Sequence, residues 1–97
     1  MMVCVIGLGR MGRGMAINLV GKGNVVYGFD VNKAVYTTVS SAGVKTVDSI
    51  GQCGDSNYVI LALPTGRESA QVLGELSTNA VIIDTTTMSL TELGQVL

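Results

Sequence analysis

The sequence predicts an α/β domain built on a doubly wound parallel sheet. Short apolar runs alternate with longer segments of helical period through all 97 residues, which is the pattern of parallel strands joined by crossover helices. One run, residues 58–63, is apolar at every position, as a central strand covered on both faces requires. The length leaves room for one domain, residues 1–97, and right-handed crossovers place about five strands in the order 3-2-1-4-5.

Each predicted strand is a short apolar run that ends at a turn residue. In chain order the strands are Met2–Ile6, Val25–Phe29, residues 42–47, residues 58–63 and residues 80–84. Pro64 ends the fourth strand because proline cannot donate a backbone hydrogen bond to a neighbouring strand. Ligands of such sheets bind beyond the carboxyl ends of the strands where the winding reverses, so residues 7–12 and 63–65 are expected to meet at one crevice.

The predicted helices follow from apolar spacing and from capping residues. They are a helix from Met11 to the turn at 21–24, a second over 33–41, a short one capped by Asp48 through Cys53, a fourth from Thr65 to about Leu76, and a last one after Ser89. At Thr65–Glu68 and again at Ser89–Glu92 the spacing is that of a capping box, in which the hydroxyl and the carboxylate bond to each other's free amides. Valines and threonines weaken the second helix.

Composition and charge exclude several classes of partner. The formal net charge is −1 and no run of lysines or arginines occurs, so neither a nucleic acid nor a membrane surface is expected as a partner. No apolar run reaches the length of a membrane span. Cys4 and Cys53 match no metal-ligand spacing and the sequence has no histidine, so we expect no metal site and two free thiols in a reducing, cytoplasmic compartment.

The stretch GLGRMG at residues 7–12 is a G-x-G-x-x-G motif that directly follows a predicted strand and opens a helix. In this context the motif binds a dinucleotide. Gly7 permits a tight turn, Gly9 lets the backbone approach a pyrophosphate, and Gly12 permits close packing of the helix on the sheet. The free amides at the start of the helix then face the anion. The alternative is a tight strand-to-helix turn without a ligand.

Asp30 ends the second predicted strand, 18 residues after the last glycine of the motif. Its carboxylate is the expected partner of the adenosine ribose and would repel a 2′-phosphate, so NAD is favoured over NADP. Asn32 and Lys33 are close enough to weaken that preference, and a cap or turn role for Asp30 is the alternative. Arg10 and Arg13 are candidate phosphate contacts, although solvated arginines at a helix start fit as well.

Three segments resemble the β-hydroxyacid dehydrogenases, the family of 3-hydroxyisobutyrate and tartronate semialdehyde reductases related to 6-phosphogluconate dehydrogenase. IGLGRMGRGMAINLVGKG at residues 6–23 is similar to the family's N-terminal signature, and VILALP at 59–64 and VIIDTTTMS at 81–89 resemble two later segments in the same order. The resemblance implies a Rossmann-like cofactor domain. With the glycine motif, the implied cofactor-binding residues are Gly7, Leu8, Gly9, Arg10, Met11, Gly12, Asp30, Leu63, Pro64, Thr65 and Thr87.

The family reaction, as the resemblance implies it, is reversible hydride transfer between a nicotinamide ring and the carbinol carbon of a small β-hydroxyacid. The family's helical substrate domain and catalytic lysine would lie beyond Leu97, and Lys22, Lys33 and Lys45 match no catalytic position. We therefore expect the NAD-binding domain of a 3-hydroxyisobutyrate dehydrogenase-like oxidoreductase, truncated before the substrate domain and inactive by itself. The alternatives are a stand-alone nucleotide-binding regulatory module and a degenerate fragment without a tight ligand.

Apolar residues also recur at helical spacing near the end of the sequence, at Leu93, Val96 and Leu97. Such a stripe packs on the core of its own domain or, where it is exposed, marks a contact surface. A missing helical domain and self-association are the two partners that this stripe suggests.

Overall fold

The structure, a computed structural model, describes residues 1–85 and contains one five-stranded sheet. The strands are β1 (Met2–Ile6), β2 (Val25–Phe29), β3 (Lys45–Thr46), β4 (Tyr58–Leu61) and β5 (Val81–Asp84). They lie in the order β3-β2-β1-β4-β5, and each neighbouring pair is parallel. This confirms the predicted doubly wound topology, with β1 in the middle and the winding reversed between β1 and β4.

The helices also follow the sequence prediction closely. They are α1 (Arg10–Gly21), α2 (Tyr36–Ser41) and α3 (Gly66–Glu75), with short 3₁₀ segments at Lys33–Val35 and Ile50–Cys53. The second predicted helix is therefore a 3₁₀ turn that continues into α2. The last predicted helix, with its capping box at 89–92 and the apolar stripe at 93–97, lies outside the described residues.

β4 is shorter than predicted and ends at Leu61 rather than at residue 63. Its neighbour β1 ends at Ile6, and Gly7 then turns away with a φ of 101°. The amide of Ala62 still donates to the Ile6 carbonyl at 2.9 Å, but beyond it β1 offers no further residues for pairing. Ala62 and Leu63 instead leave the sheet and line a cleft.

Two capping predictions need correction. Asp48 does not cap the 3₁₀ segment; Ser49 is the N-cap residue, and the Gln52 Oε1 atom accepts from the amides of Asp48 (2.9 Å) and Ser49 (3.0 Å). At α3 the Thr65 Oγ1 atom accepts from the Glu68 amide at 3.3 Å, which is half of the predicted capping box. Glu68 lines the cleft.

The core lies on both faces of the sheet because side chains alternate along each strand. In β1, Val3 and Val5 pack on the face covered by α1 and α2. Cys4 and Ile6 point to the opposite face, where the 3₁₀ segment Ile50–Cys53 and α3 cover them.

In residues 1–85 no helix is both long and apolar enough to cross a membrane.

Leu8 is fully buried and packs over Gly28, the one glycine within β2. A Cβ atom on residue 28 would come within 3.1 Å of Leu8 Cδ1 and 3.0 Å of Val44 Cγ1. The missing side chain in β2 therefore makes room for the leucine of the glycine motif. This contact ties the loop after β1 to the neighbouring strand.

Shortening Leu8 is expected to destabilise the domain. Leu8→Ala should lower the free energy of unfolding by about 3 kcal/mol, because it leaves a cavity in a packed core. Gly28→Ala should cost about 1–3 kcal/mol through overpacking, and the double variant should cost less than the sum, since the shorter side chain makes room for the new methyl group. Urea unfolding of the four proteins measures this, with Leu73→Ala, at an exposed residue, as the control; strictly additive costs would contradict the contact.

Cys4 and Cys53 form a disulfide, which corrects the expectation of two free thiols. Cys4 lies in β1 and Cys53 ends the 3₁₀ segment, and both are fully buried where these elements pack together. Their Cα atoms are 5.6 Å apart although 49 residues separate them along the chain. No local sequence pattern shows this pairing, because it arises from packing on one face of the sheet.

Alkylation tests the disulfide directly. The chain unfolded in guanidinium chloride without reductant should take up no iodoacetamide, whereas after reduction it should take up one equivalent at each of Cys4 and Cys53. Reduction should also lower the free energy of unfolding by about 4 kcal/mol, because the bond closes a long loop in the unfolded chain. Labelling of either cysteine before reduction, read by mass spectrometry, would overturn the assignment.

Candidate functional site

A cleft of about 720 Å³ lies at the carboxyl ends of β1, β2 and β4, where the winding of the sheet reverses. This is the place that the topology predicts for a ligand. The volume falls within the range of about 300–1,000 Å³ typical of ligand and cofactor sites. The two predicted segments, residues 7–12 and 63–65, meet here as expected.

Most of the predicted site residues line this cleft. Those that do are Gly7, Gly9, Arg10, Met11, Gly12, Asp30, Leu63 and Pro64. Leu8 is buried in the core, and Thr65 caps α3 without lining the cleft. Thr87 lies outside the described residues. The structure thus brings together the glycine loop, the acidic end of β2 and the turn after β4.

Two glycines of the motif are required by the fold itself. Gly7 has a positive φ of 101°, which L side chains rarely adopt, and a Cβ there would overlap the carbonyl group of Ala62. A Cβ on Gly12 would overlap the carbonyl oxygen of Gly7. The first turn of α1 therefore packs directly on the backbone at the end of β1.

Gly9 differs from its two neighbours in the motif. Its φ of −67° and ψ of −168° are extended backbone that any residue adopts, and a Cβ at this position would meet no atom of the chain within 4 Å. Nothing in the described fold therefore requires glycine at residue 9. The space that a side chain would fill belongs to the cleft, at the N-terminus of α1.

The start of α1 is arranged for an anion. Gly9 is the N-cap residue and provides no side-chain cap, and the first turn contains no acidic residue. The amides of this turn and the positive end of the helix dipole are thus left for a ligand. The Arg10 side chain lines the cleft beside them, and its charge would add to the attraction for a phosphate group.

Asp30 combines a structural contact with free acceptor capacity. Its Oδ2 atom accepts from the Leu8 amide at 2.7 Å, and its Oδ1 atom accepts from the Asn32 amide at 2.8 Å. The second bond is the turn role considered as the alternative, while ribose binding stays a prediction. A carboxylate has about four lone-pair sites, so the half-buried Asp30, which lines the cleft, keeps capacity to accept from ribose hydroxyls.

Nine residues of the cleft wall are not among the predicted site residues. They are Ile6, Phe29, Val31, Ile50, Ala62, Glu68, Gln71, Val72 and Glu75. The four on α3 recur at helical spacing, so the helical period was a signal that could have identified them once the capped start of α3 was placed. Ile50 gave no such signal, because only packing brings the 3₁₀ segment to the cleft.

The described residues offer no metal centre. No group of three or more histidine, cysteine or carboxylate side chains in residues 1–85 could hold a metal ion. The donors and the open space point instead to an organic ligand with anionic and hydroxyl groups. A dinucleotide has both, since its pyrophosphate suits the α1 amides and its ribose suits Asp30.

The family described as the NAD binding domain of 6-phosphogluconate dehydrogenase matches residues 2–96. The chain belongs to this family. NAD is therefore the cofactor of the domain, and the cleft geometry fits it at the glycine loop and at Asp30. The resemblance to β-hydroxyacid dehydrogenases is confirmed.

Curated relatives of this NAD-binding domain are oxidoreductases. The chain is 34% identical over 99 residues to a probable 3-hydroxyisobutyrate dehydrogenase of Mycobacterium tuberculosis, covering 97% of this chain and 34% of that protein. It is 36% identical over 94 residues to a 3-sulfolactaldehyde reductase of Escherichia coli, covering 89% of this chain and 32% of that protein. The chain thus spans about a third of the length of these relatives.

Solved structures show the same fold. A 3-hydroxyisobutyrate dehydrogenase of Mycobacterium tuberculosis, solved with L-serine, matches with a TM-score of 0.83 at 32% identity over 98% of this chain and 34% of that one. An imine reductase of Myxococcus stipitatus in complex with NAD⁺ matches with a TM-score of 0.79 at 18% identity over 91% of this chain and 32% of that one, a likeness that shows the fold alone.

Two glycines of α1 give a matched test of the close packing in this NAD-binding domain. Gly12→Ala should lower the free energy of unfolding by about 3 kcal/mol, because its methyl group overlaps the Gly7 carbonyl. Gly14→Ala, in the same helix with open space around a new Cβ, should raise it by about 0.5–1 kcal/mol through helix propensity. Thermal unfolding of both variants measures the difference. Equal effects would show that α1 does not pack on the β1 turn as described.

Proposed function

We propose that the chain is the cofactor-binding part of a dehydrogenase that acts on a small β-hydroxyacid, and that residues 1–97 bind NAD without catalysing hydride transfer by themselves. The nicotinamide ring supplies the hydride chemistry when NAD is bound. The residues of this chain bind the pyrophosphate and the adenosine ribose and so place the ring relative to the sheet. The substrate and its proton donor are supplied by a part of the enzyme outside these residues.

The open space at Gly9 carries this proposal. Gly7 and Gly12 are explained by the chain's own packing, so they would be present in a turn without a ligand. Gly9 has ordinary dihedral angles and no neighbour that excludes a side chain. A group that enters the cleft and approaches the backbone at the N-terminus of α1 explains glycine there, and a pyrophosphate is such a group.

The lack of lysine and histidine in the described cleft wall supports the second half of the proposal. The sequence has no histidine, and the cleft wall within residues 1–85 contains no lysine. Lys22 is the C-cap residue of α1, at the opposite end of the helix from the cleft. Asp30 is already bonded to two backbone amides, which fits it for ribose binding rather than for proton transfer.

The proposed substrate class comes from the relatives. Their names specify 3-hydroxyisobutyrate, 3-sulfolactaldehyde and L-threonate, which are small molecules with an acidic group and an alcohol or aldehyde. A β-hydroxyacid or its aldehyde is the chemistry that these compounds share. The described residues give no substrate site, so the proposal stops at this class.

We also propose a cytoplasmic location, as the sequence analysis expected. The Cys4–Cys53 disulfide is the observation that counts against it, because disulfides are rare in reducing compartments. The alkylation experiment described above therefore bears on location as well. A disulfide that persists in chain isolated with thiols blocked at lysis would argue for an oxidising compartment.

Calorimetric titration with NADH tests the binding proposal. The chain should bind NADH, and Gly9→Val should abolish binding by filling the space of the pyrophosphate. Gly14→Val, at an open glycine within α1, should leave binding unchanged. Asp30→Asn should weaken binding about tenfold, because a neutral amide is a poorer acceptor for ribose hydroxyls than a carboxylate. Circular dichroism of each variant shows whether it is folded.

The outcomes separate the proposal from its alternatives. A folded chain that binds no NADH at millimolar concentration would refute NAD binding by this chain and support a degenerate fragment. Binding that survives Gly9→Val would place the ligand elsewhere. Addition of 3-hydroxyisobutyrate and NAD to the chain alone should produce no NADH absorbance at 340 nm, and turnover would refute the claim that the reaction needs further residues.

A further inference from the structure

The Cys4–Cys53 disulfide lies in the packed layer that backs the cleft. Both cysteines belong to the apolar cluster on the face of the sheet that α3 covers. Several members of this cluster also line the cleft, so the bond and the proposed cofactor site share one set of packed side chains. The shared residues are Ile6, Phe29, Ile50, Leu63 and Val72.

The bond joins a firmly held strand to a weakly held segment. Cys4 lies in β1, which pairs with β2 on one side and with β4 on the other. Cys53 ends the 3₁₀ segment Ile50–Cys53. In residues 1–85 the hydrogen bonds of residues 48–54 stay within four residues along the chain, except that Thr78 Oγ1 donates to the Gly54 carbonyl at 2.7 Å. The disulfide is therefore the covalent anchor of this segment on the sheet.

Ile50 connects that anchor to the cleft. It is half-buried, and it is the residue of the 3₁₀ segment that lines the cleft. Residues one turn apart in a 3₁₀ helix eclipse each other, so Ile50 and Cys53 lie on the same side of the segment. A shift of Cys53 relative to β1 therefore moves a side chain of the cleft wall.

Helix α3 depends on the same packed layer. Within the described residues Ser69 is its one fully buried residue, and its half-buried Val72 and Leu76 pack on the cluster that contains Cys53. Val72 also lines the cleft. Because the helix also contacts the 3₁₀ segment directly, a change in the position of that segment reaches the cleft wall through α3 as well.

We infer that the Cys4–Cys53 bond is a redox switch for cofactor affinity, in which the disulfide form binds NADH more tightly than the dithiol form. A dithiol reductant supplies the reaction. One of its thiolates attacks a cysteine sulfur and breaks the bond, and its second thiolate then closes a ring, so the reductant ends as a disulfide and its two protons pass to Cys4 and Cys53. Released from β1, the 3₁₀ segment no longer fixes Ile50 at the cleft. The inference rests on the proposed binding of NAD at this cleft.

Local opening gives the reductant access to the bond. Both cysteines are fully buried, and a segment with few hydrogen bonds to the rest of the fold opens at a lower free energy than core strands do. A disulfide that forms and breaks in this way agrees with the proposed cytoplasmic location, because disulfides in reducing compartments are mostly transient and redox-sensing. By linkage, NADH must oppose reduction by the same factor by which the disulfide strengthens NADH binding.

Calorimetric titration with NADH of the oxidised chain, and of the chain reduced and held in dithiothreitol, tests the switch. Reduction should weaken binding about tenfold, as is typical of coupled sites, in a chain that circular dichroism shows to be folded. Ile50→Ala should weaken binding to the oxidised chain and shrink the difference between the two forms to about twofold or less. Ile17→Ala, the same change at an exposed residue of α1, should alter neither the affinity nor the difference.

The reduction equilibrium gives a second readout that does not measure binding directly. The chain is equilibrated in mixtures of reduced and oxidised dithiothreitol, and its free thiols are counted by alkylation and mass spectrometry. Saturating NADH should raise the ratio of reduced to oxidised dithiothreitol at half reduction about tenfold. In Ile50→Ala that rise should be about twofold or less, whereas Ile17→Ala should keep it in full.

Each outcome decides between the switch and its alternatives. If the reduced chain is folded and binds NADH within about twofold of the oxidised chain, the redox inference is wrong and the proposed function stands. A reduced chain that is unfolded would also overturn the inference, because the bond would then be needed for the fold itself. Ile50→Ala with the full difference would rule out the 3₁₀ segment as the route. If the oxidised chain binds no NADH, both proposals are wrong.

Discussion

The lack of room for a side chain between the end of β1 and the first turn of α1 is the constraint on which the site depends. A Cβ at residue 12 would occupy the position of the Gly7 carbonyl, and one at residue 7 would occupy that of Ala62. The helix therefore starts directly against the backbone of the sheet. Its free amides are thereby presented at the point where the winding reverses, which gives an anion site made of backbone rather than of mobile side chains.

Asp30 couples that loop to the second strand. Its carboxylate binds the Leu8 amide of the glycine loop, while Leu8 itself packs over Gly28 in the same strand as Phe29. The loop is thus held by the hydrogen bond to Asp30 and by the packing of Leu8 on Gly28. A ligand that bonds to the remaining lone pairs of Asp30 would stabilise a contact that the folded chain already makes, so binding and folding should reinforce each other.

The described part of the chain is suited to binding a cofactor. The cleft in the described residues is built for binding and orientation, since its charges and amides suit phosphate and ribose and its wall has no lysine or histidine. The chain covers about a third of the length of its curated relatives. A site of this kind can bind and orient a cofactor.

Local sequence signals predicted the topology and the position of the cleft. Strand order and the extent of β1 and β2 followed from apolar periods, and the spacing of three glycines and an acidic residue after a strand predicted eight residues that line the cleft. Tertiary structure decided what depends on distant neighbours. Cys4 met Cys53 across 49 residues, Leu8 turned into the core, and β4 ended early because β1 had turned away. Only packing showed that Gly9, unlike Gly7 and Gly12, is left open, because free space around a residue is a property of its neighbours in the fold.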